Sequence, residues 1–182
     1  IMQNILIIVG SLAKQSVNRT IAQYIADKYR DQFHFTFAEI GDLPLYTQDR
    51  DVDSPASYQR LRQQIKAADG ILLISPEHNR SIPAAMKNAI DVGSRPMGEN
   101  AWNGKAIAII TVSPSFAGGM AANHALRTPF TVLNGAVMPS PETYFGNIHQ
   151  SLNEQGELVG EYVTNTIEKF MQSFKQWMAR FA

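Results

Sequence analysis

Three short polar segments of this chain carry side chains and backbone that suit a flat, phosphate-bearing ligand. The first, Gly10-Ser11-Leu12-Ala13-Lys14-Gln15-Ser16-Val17-Asn18, follows an apolar run and opens into a helical pattern. Ser11, Ser16 and Asn18 supply hydroxyl and amide groups beside the N–H groups of a helix N-terminus, where about half a positive charge is available. A phosphate monoester suits that place, with Lys14 or Arg19 as countercharge; the alternative is that Ser16 and Asn18 only cap the helix. The second segment, Ser75-Pro76-Glu77-His78-Asn79-Arg80-Ser81, offers Asn79 and Ser81 as short polar groups, Glu77 and Arg80 as charges, and Pro76 to fix the entry of the chain. Backbone N–H groups of such a turn can bond the ring carbonyls and nitrogens of a planar heterocycle. Its plainer reading is a helix-entry loop capped by Ser81. The third, Ser113-Pro114-Ser115-Phe116-Ala117-Gly118-Gly119, has two glycines that permit close approach of backbone to a ring, and taken alone it is an ordinary turn.

These segments need elements to hold them side by side. Apolar, β-branched runs at residues 4–9, 33–39, 70–74, 105–112 and 135–138 alternate with segments of helical period near 18–30, 55–67, 83–92, 119–133 and 156–181. Strands without polar alternation are buried on both faces, which implies a parallel sheet with helices on each side. The pattern predicts an α/β fold, a flavodoxin-like doubly wound five-stranded parallel sheet of order 2-1-3-4-5, as a single domain over 1–182. In that order the three segments leave the carboxyl ends of neighbouring strands one, three and four, the place where open α/β sheets bind ligands. Ser54-Pro55 reads as cap and first position of the second helix, and Pro83 as just inside the start of the third. The acidic stretch 41–54 is too long for a plain connection and reads either as a solvated loop or as the border of a site.

Sixteen basic and sixteen acidic residues leave a formal net charge of zero, which gives no general attraction to nucleic acid or anionic lipid. The absence of cysteine excludes a disulfide framework, a thiolate metal site and a thiol nucleophile. No apolar stretch approaches the roughly 18 residues needed to span a bilayer, and residues 2–9 read as a strand rather than a signal peptide, so a cytoplasmic setting is expected. Ile1 ahead of Met2 is set aside as an expression remnant. Gly10 is the only glycine of the first segment, so neither the dinucleotide fingerprint nor the Walker pattern is present. No G-x-S-x-G or H-E-x-x-H occurs, and the four histidines, 34, 78, 124 and 149, form no triad or metal pattern.

The strings GSLAKQSVNRTIA and SPEHNRSIPAAMKNAIDVGSRP, at this spacing, resemble the NADPH-dependent FMN reductase family, the flavodoxin-like quinone, azo-dye and chromate reductases. Leu43-Pro44-Leu45-Tyr46 and Gly118-Gly119 also fall where that family has them, so the resemblance covers nearly the whole chain. It implies FMN as cofactor, with Ser11, Leu12, Lys14, Ser16, Val17 and Asn18 at its phosphate. Pro76, Glu77, His78, Asn79 and Arg80 would lie along the isoalloxazine, and Ser113, Ser115, Gly118 and Gly119 at the ring's other edge. No side chain need act as acid or base: hydride passes from NADPH or NADH to flavin N5, and a small-molecule acceptor then takes the electrons in a ping-pong sequence. Arg80 is the candidate for meeting the NADPH phosphate or an anionic acceptor, or else a solvated loop charge. The resemblance further implies a homodimer or dimer of dimers packed through the helix at 83–92, which from sequence alone could equally cover its own sheet. Apart from the resemblance, Arg95 is read as a candidate to reach a neighbouring subunit's site, and Arg127 and Glu142 as a candidate pair across an interface.

This chain departs from the family at His78, where tyrosine is usual. An imidazole has less stacking area and changes charge in the physiological pH range, so flavin retention or potential is expected to vary between about pH 5.5 and 8. Two other functions compete. A nicotinamide dehydrogenase would use Glu39 as its ribose-binding acid, and a flavodoxin-like electron carrier or regulatory domain would bind FMN without turning over NADPH.

Overall fold

The strands take central places because their side chains are apolar on both sides. In the computed structural model, which describes residues 2–182, β1 (Gln3–Val9), β2 (Phe33–Phe37), β3 (Gly70–Ser75) and β4 (Ala106–Val112) lie parallel in the order β2-β1-β3-β4. Ile1 lies outside the described residues. The fifth position is shared by two short pieces, β5 (Ala136–Val137) beside the start of β4 and β6 (Thr143–Phe145) beside its end. The predicted order 2-1-3-4-5 is present, but the last strand is split and its second half went unpredicted. Pro139 and Pro141, between the pieces, have no N–H to give to a ladder.

The central strands feed two cores. Ile5, Ile7 and Val9 join Leu72, Ile74 and Ile110 under α1 (Val17–Lys28) and α5 (Glu161–Met178), where Ile21, Ile25, Ile167, Phe170 and Phe174 are buried. Leu6 and Ile8 join Ile71, Leu73, Ile107 and Ile109 on the other face, under α2 (Ala56–Ala67), α3 (Ala84–Gly93) and α4 (Met120–Leu133). Each fully buried aliphatic or aromatic side chain there contributes about 1.5–3 kcal/mol, so the sheet is a rigid platform for what hangs from its ends. None of these helices is long and apolar enough to cross a membrane.

Three helix starts differ from the sequence reading, α3 among them, since Pro83 stands at its cap position rather than inside it. Ser54 does not cap α2; its hydroxyl donates to Arg50 O (2.7 Å) and accepts from Arg62 Nη1 (2.7 Å), and Pro55 stands at the cap position without a side-chain bond. α5 begins at Glu161 rather than near 156, because Asn153 Oδ1 gathers Gln155 N–H (3.0 Å) and Glu157 N–H (2.8 Å) into a separate turn around Gly156.

The stretch 41–54 is tied down along its length. Tyr46 N–H donates to Asn88 Oδ1 (2.8 Å), Asn88 Nδ2 and Tyr58 Oη donate to Pro44 O (3.0 and 2.7 Å), and Arg95 clasps Asp51 through Nε (2.9 Å) and Nη2. At its start Arg60 makes a two-pronged pair with Asp42 (2.7 and 2.8 Å). The hydrogen bond from Arg60 holds the Asp42 carboxyl below its ordinary value. A depressed carboxyl contributes stability that is present above the unfolded-state pKa, near about 3.9, and lost as pH falls through the folded one. Both groups are more than a third exposed, so screening keeps the pair under about 1 kcal/mol. Asp42→Asn is therefore expected to lower the Tm at pH 7 by about 2–3 °C, a difference that shrinks as pH falls below the unfolded-state value near about 3.9.

Candidate active site

Strand register brings the three polar segments level. Val9 of β1 faces Ile74 of β3, and Ser75 faces Thr111 of β4, so the loops after these strands leave one edge as neighbours. Gly10 N–H still bonds Ile74 O (2.8 Å), and a side chain at Gly10 would strike Ser75 Oγ at 2.6 Å, so the first loop leaves the sheet flush against β3.

The first loop then leads into the N-terminus of α1 with a row of free donors. Ser16 is buried and caps α1, its Oγ accepting from Arg19 N–H (3.3 Å). Among the described residues, the N–H groups of Lys14, Gln15, Ser16, Val17 and Asn18 donate to no protein acceptor. Asn18 is 6% exposed, and its Oδ1 is buried without a partner. A run of free N–H groups with an uncommitted amide at a helix N-terminus suits a phosphate. The capping alternative is thus half right: Ser16 caps and Asn18 does not. Ser11 Oγ accepts from Ala13 N–H (3.4 Å); Val17 packs on the core; Lys14 is exposed, and Leu12 is exposed with a methyl against Gly41. An open groove of about 1090 Å³ runs from Lys14–Val17 along α1 to 152–158, on a side where the second and third loops contribute nothing.

The second loop is a tight turn. His78 N–H donates to Ser81 O (3.1 Å) and Ser81 N–H to His78 O (2.9 Å), with Asn79 and Arg80 at the tip in the left-handed region, φ +50° and +63°. Ser81 does not cap α3, which starts after Pro83 with no side-chain cap. Pro76 is half-buried, and His78, Asn79 and Arg80 are exposed. Glu77 turns away from the tip: its Oε2 accepts from Ala122 N–H (3.1 Å) in the first turn of α4, whose own cap, Gly119, offers no side chain. A carboxylate at a helix N-terminus is worth about 1 kcal/mol. Glu77→Ala is expected to lower the Tm by about 3 °C, with Glu77→Gln recovering about half, as read by thermal denaturation.

The third loop is pinned from both sides. Ser113 N–H donates to Phe145 O (3.0 Å), Asn147 N–H to Ser115 O (3.1 Å), and Ser115 N–H to Ser113 Oγ (3.1 Å). Gly118 and Gly119 take φ +62° and +77°. A side chain on Gly118 would meet Gly146 N at 2.8 Å, so this glycine answers to the backbone of β6 rather than to a ring. Beneath the loop, fully buried Asn123 links Thr111 Oγ1 (3.4 Å) to Thr143 O (3.0 Å), and Arg127 spans Asn123 Oδ1 and Met138 O (3.0 Å). Sequence reasoning missed this support; its trace is the Asn123/Arg127 spacing of one helical turn. Arg127 is committed inside the chain, while Glu142 meets His124 at 3.3 Å. Arg95, expected near a neighbouring subunit, is spent on Asp51 beneath the ring of Tyr46. Glu39, the acid a dehydrogenase would use, turns its Oε1 to Gly41 N–H (2.8 Å) in its own loop.

Residues 3–150 match the model of the NADPH-dependent FMN reductase family. The chain belongs to that family. A quinone reductase of Pseudomonas putida is 39% identical over 96% of this chain and 94% of its own length. A 2-hydroxy-1,4-benzoquinone reductase of Burkholderia is 38% identical over 96% and 95%. Among solved structures, the flavoenzyme NAD(P)H:(acceptor) oxidoreductase FerB from Paracoccus denitrificans superposes with a TM-score of 0.92 at 32% identity, covering 99% of each chain. The protein is an oxidoreductase of the FMN reductase type, with FMN as the family's cofactor and NAD(P)H as its reductant, and its fold is the flavodoxin-like one its strand order predicts.

Proposed function

We propose that this FMN reductase family member passes reducing equivalents from NAD(P)H to a quinone-type acceptor by a ping-pong sequence. The observation that carries the reading is the run of unpartnered N–H groups at Lys14–Asn18, level with two rigid loops on the adjacent strands. In this reading Ser11, Leu12, Lys14, Ser16, Val17 and Asn18 seat the phosphate of FMN. The 76–79 backbone and the Ser113/Ser115 pair flank the ring, and Gly118 and Gly119 hold the third loop in the shape that places those serines. When bound, FMN supplies the hydride and electron chemistry. The protein's share is orientation: Glu77 couples the second loop to α4, and Asn123 keeps the third loop over β4. Quinones are favoured as acceptors because the named substrates of the similar proteins are quinones. Leu45, Val52 and Met97, all exposed around the Asp51–Arg95 pair, support a homodimer, testable by light scattering.

The test is an absorption spectrum of the purified protein with FMN, followed by NADPH without oxygen and then a quinone. Bands near about 375 and 450 nm that bleach with NADPH and return with quinone support the proposal. Bound FMN that neither pyridine nucleotide bleaches would mean an electron carrier or regulatory domain instead.

A further inference from the structure

Arg80 sits where the backbone asks for glycine. A two-residue turn closed by reciprocal hydrogen bonds, with φ positive at both tip residues, is the type that Asn-Gly serves best. Asn79 is at ease there, whereas Arg80 carries a Cβ in the left-handed region and so is held in a strained conformation. No contact inside the chain accounts for it. The side chain is 82% exposed, its nearest carboxylate oxygen, Glu77 Oε1, stands 3.8 Å away, and among the described residues its guanidinium makes no hydrogen bond. The other oxygen of Glu77 is held by α4, so the carboxylate steadies Arg80 without closing on it. A costly backbone position bearing a guanidinium with no closer partner than a carboxylate oxygen at 3.8 Å, on a rigid turn at the carboxyl edge of the sheet, points to a residue kept for what it binds.

Resting on the function proposed above, we infer that Arg80 is a specificity-determining residue that receives an oxyanion of the substrate at the mouth of the crevice. Two sources carry that chemistry: the 2′-phosphate of NADPH and the ionised oxygen of a hydroxyquinone. The guanidinium offers both a planar pair of donors, and the closed turn fixes its root, so little backbone ordering opposes binding.

The test uses the full-length FMN-loaded protein and the variants Arg80→Gly and Arg80→Lys. Two ratios of kcat/KM are measured: NADPH over NADH with one neutral quinone, and an anionic hydroxyquinone over that neutral quinone with NADH. In Arg80→Gly at least one ratio falls about tenfold, and Arg80→Lys restores part of it. A fall in the first assigns the 2′-phosphate, a fall in the second assigns the acceptor, and calorimetry of NADP⁺ against NAD⁺ moves with the first alone. Independently of turnover, Arg80→Gly raises the Tm of the apoprotein by about 3 °C, because glycine relieves the turn. Unchanged ratios in a protein whose wild type turns over overturn the inference alone, as does a lowered Tm, which would make the arginine structural. A wild type that FMN and NAD(P)H leave inert removes the functional reading as well.

Discussion

Asn18→Asp is expected to weaken FMN binding by about two orders of magnitude while leaving the fold intact. The residue lies in the first turn of α1, buried, with Oδ1 free of any partner and unpartnered N–H groups on the four residues before it. Aspartate keeps the size and adds a negative charge. In the empty protein that charge meets a helix N-terminus and is mildly favourable, about 0.3–1 kcal/mol. With a phosphate in the same seat, each of its nearly two charges repels the carboxylate at about 4 Å by roughly 4 kcal/mol at the effective dielectric of such sites. The repulsion is the larger effect, and even after relaxation it exceeds the roughly 2.7 kcal/mol that a hundredfold loss requires. Titration of apoprotein with FMN, beside a thermal melt, gives the answer: a weaker titration with an unchanged or raised Tm is expected. An affinity within threefold of wild type would place the phosphate elsewhere.

Gly118→Ala has the largest expected effect on stability. Two costs add. The residue sits at φ +62°, where a Cβ costs about 1–2 kcal/mol, and that Cβ would press on Gly146 N at 2.8 Å and on the carbonyl carbons of Tyr144 and Phe145 at 2.9 Å. Those are backbone atoms held by Ser113 N–H to Phe145 O and Asn147 N–H to Ser115 O, so no side chain can rotate away. Overpacking against fixed neighbours adds about 1–3 kcal/mol. The sum, about 2–5 kcal/mol, lowers the Tm of a chain this size by about 4–20 °C, and differential scanning calorimetry measures it directly. FMN affinity should fall in the same variant, since Ser113 and Ser115 move with the loop. A Tm within 2 °C of wild type would show that the third loop is free to shift.

The sheet was legible because its signal is redundant: the three central strands carry uninterrupted apolar runs, the edge strand β2 alternates phenylalanine with polar residues, and helical segments separate them at lengths that parallel pairing accommodates. β6 was not, since three residues between prolines and a glycine carry too little pattern to mark a strand. In the site, the loops and the Ser16 cap were legible from residue types at strand ends. Partnerships between distant residues were not. Glu77 with Ala122, Asp51 with Arg95 and Gly118 with the backbone of 144–146 join segments 26 to 45 positions apart, and no local pattern announces them. The same applies to Ser54, whose local rule was sound but lost to a buried arginine, Arg62, that needed its hydroxyl.

The second and third loops share supports: Glu77 links one to α4, and Gly118 and Asn147 lock the other to β6. The first loop stands apart from them, joined to the sheet at Gly10 and otherwise held by its own turn and by α1. For an engineer, on the proposed seating of FMN, this makes residues 11–18 a cassette that sets how firmly the cofactor is retained. The surroundings of the ring, by contrast, are a single casting: they can be retuned only by rebuilding both loops, α4 and the broken fifth strand together.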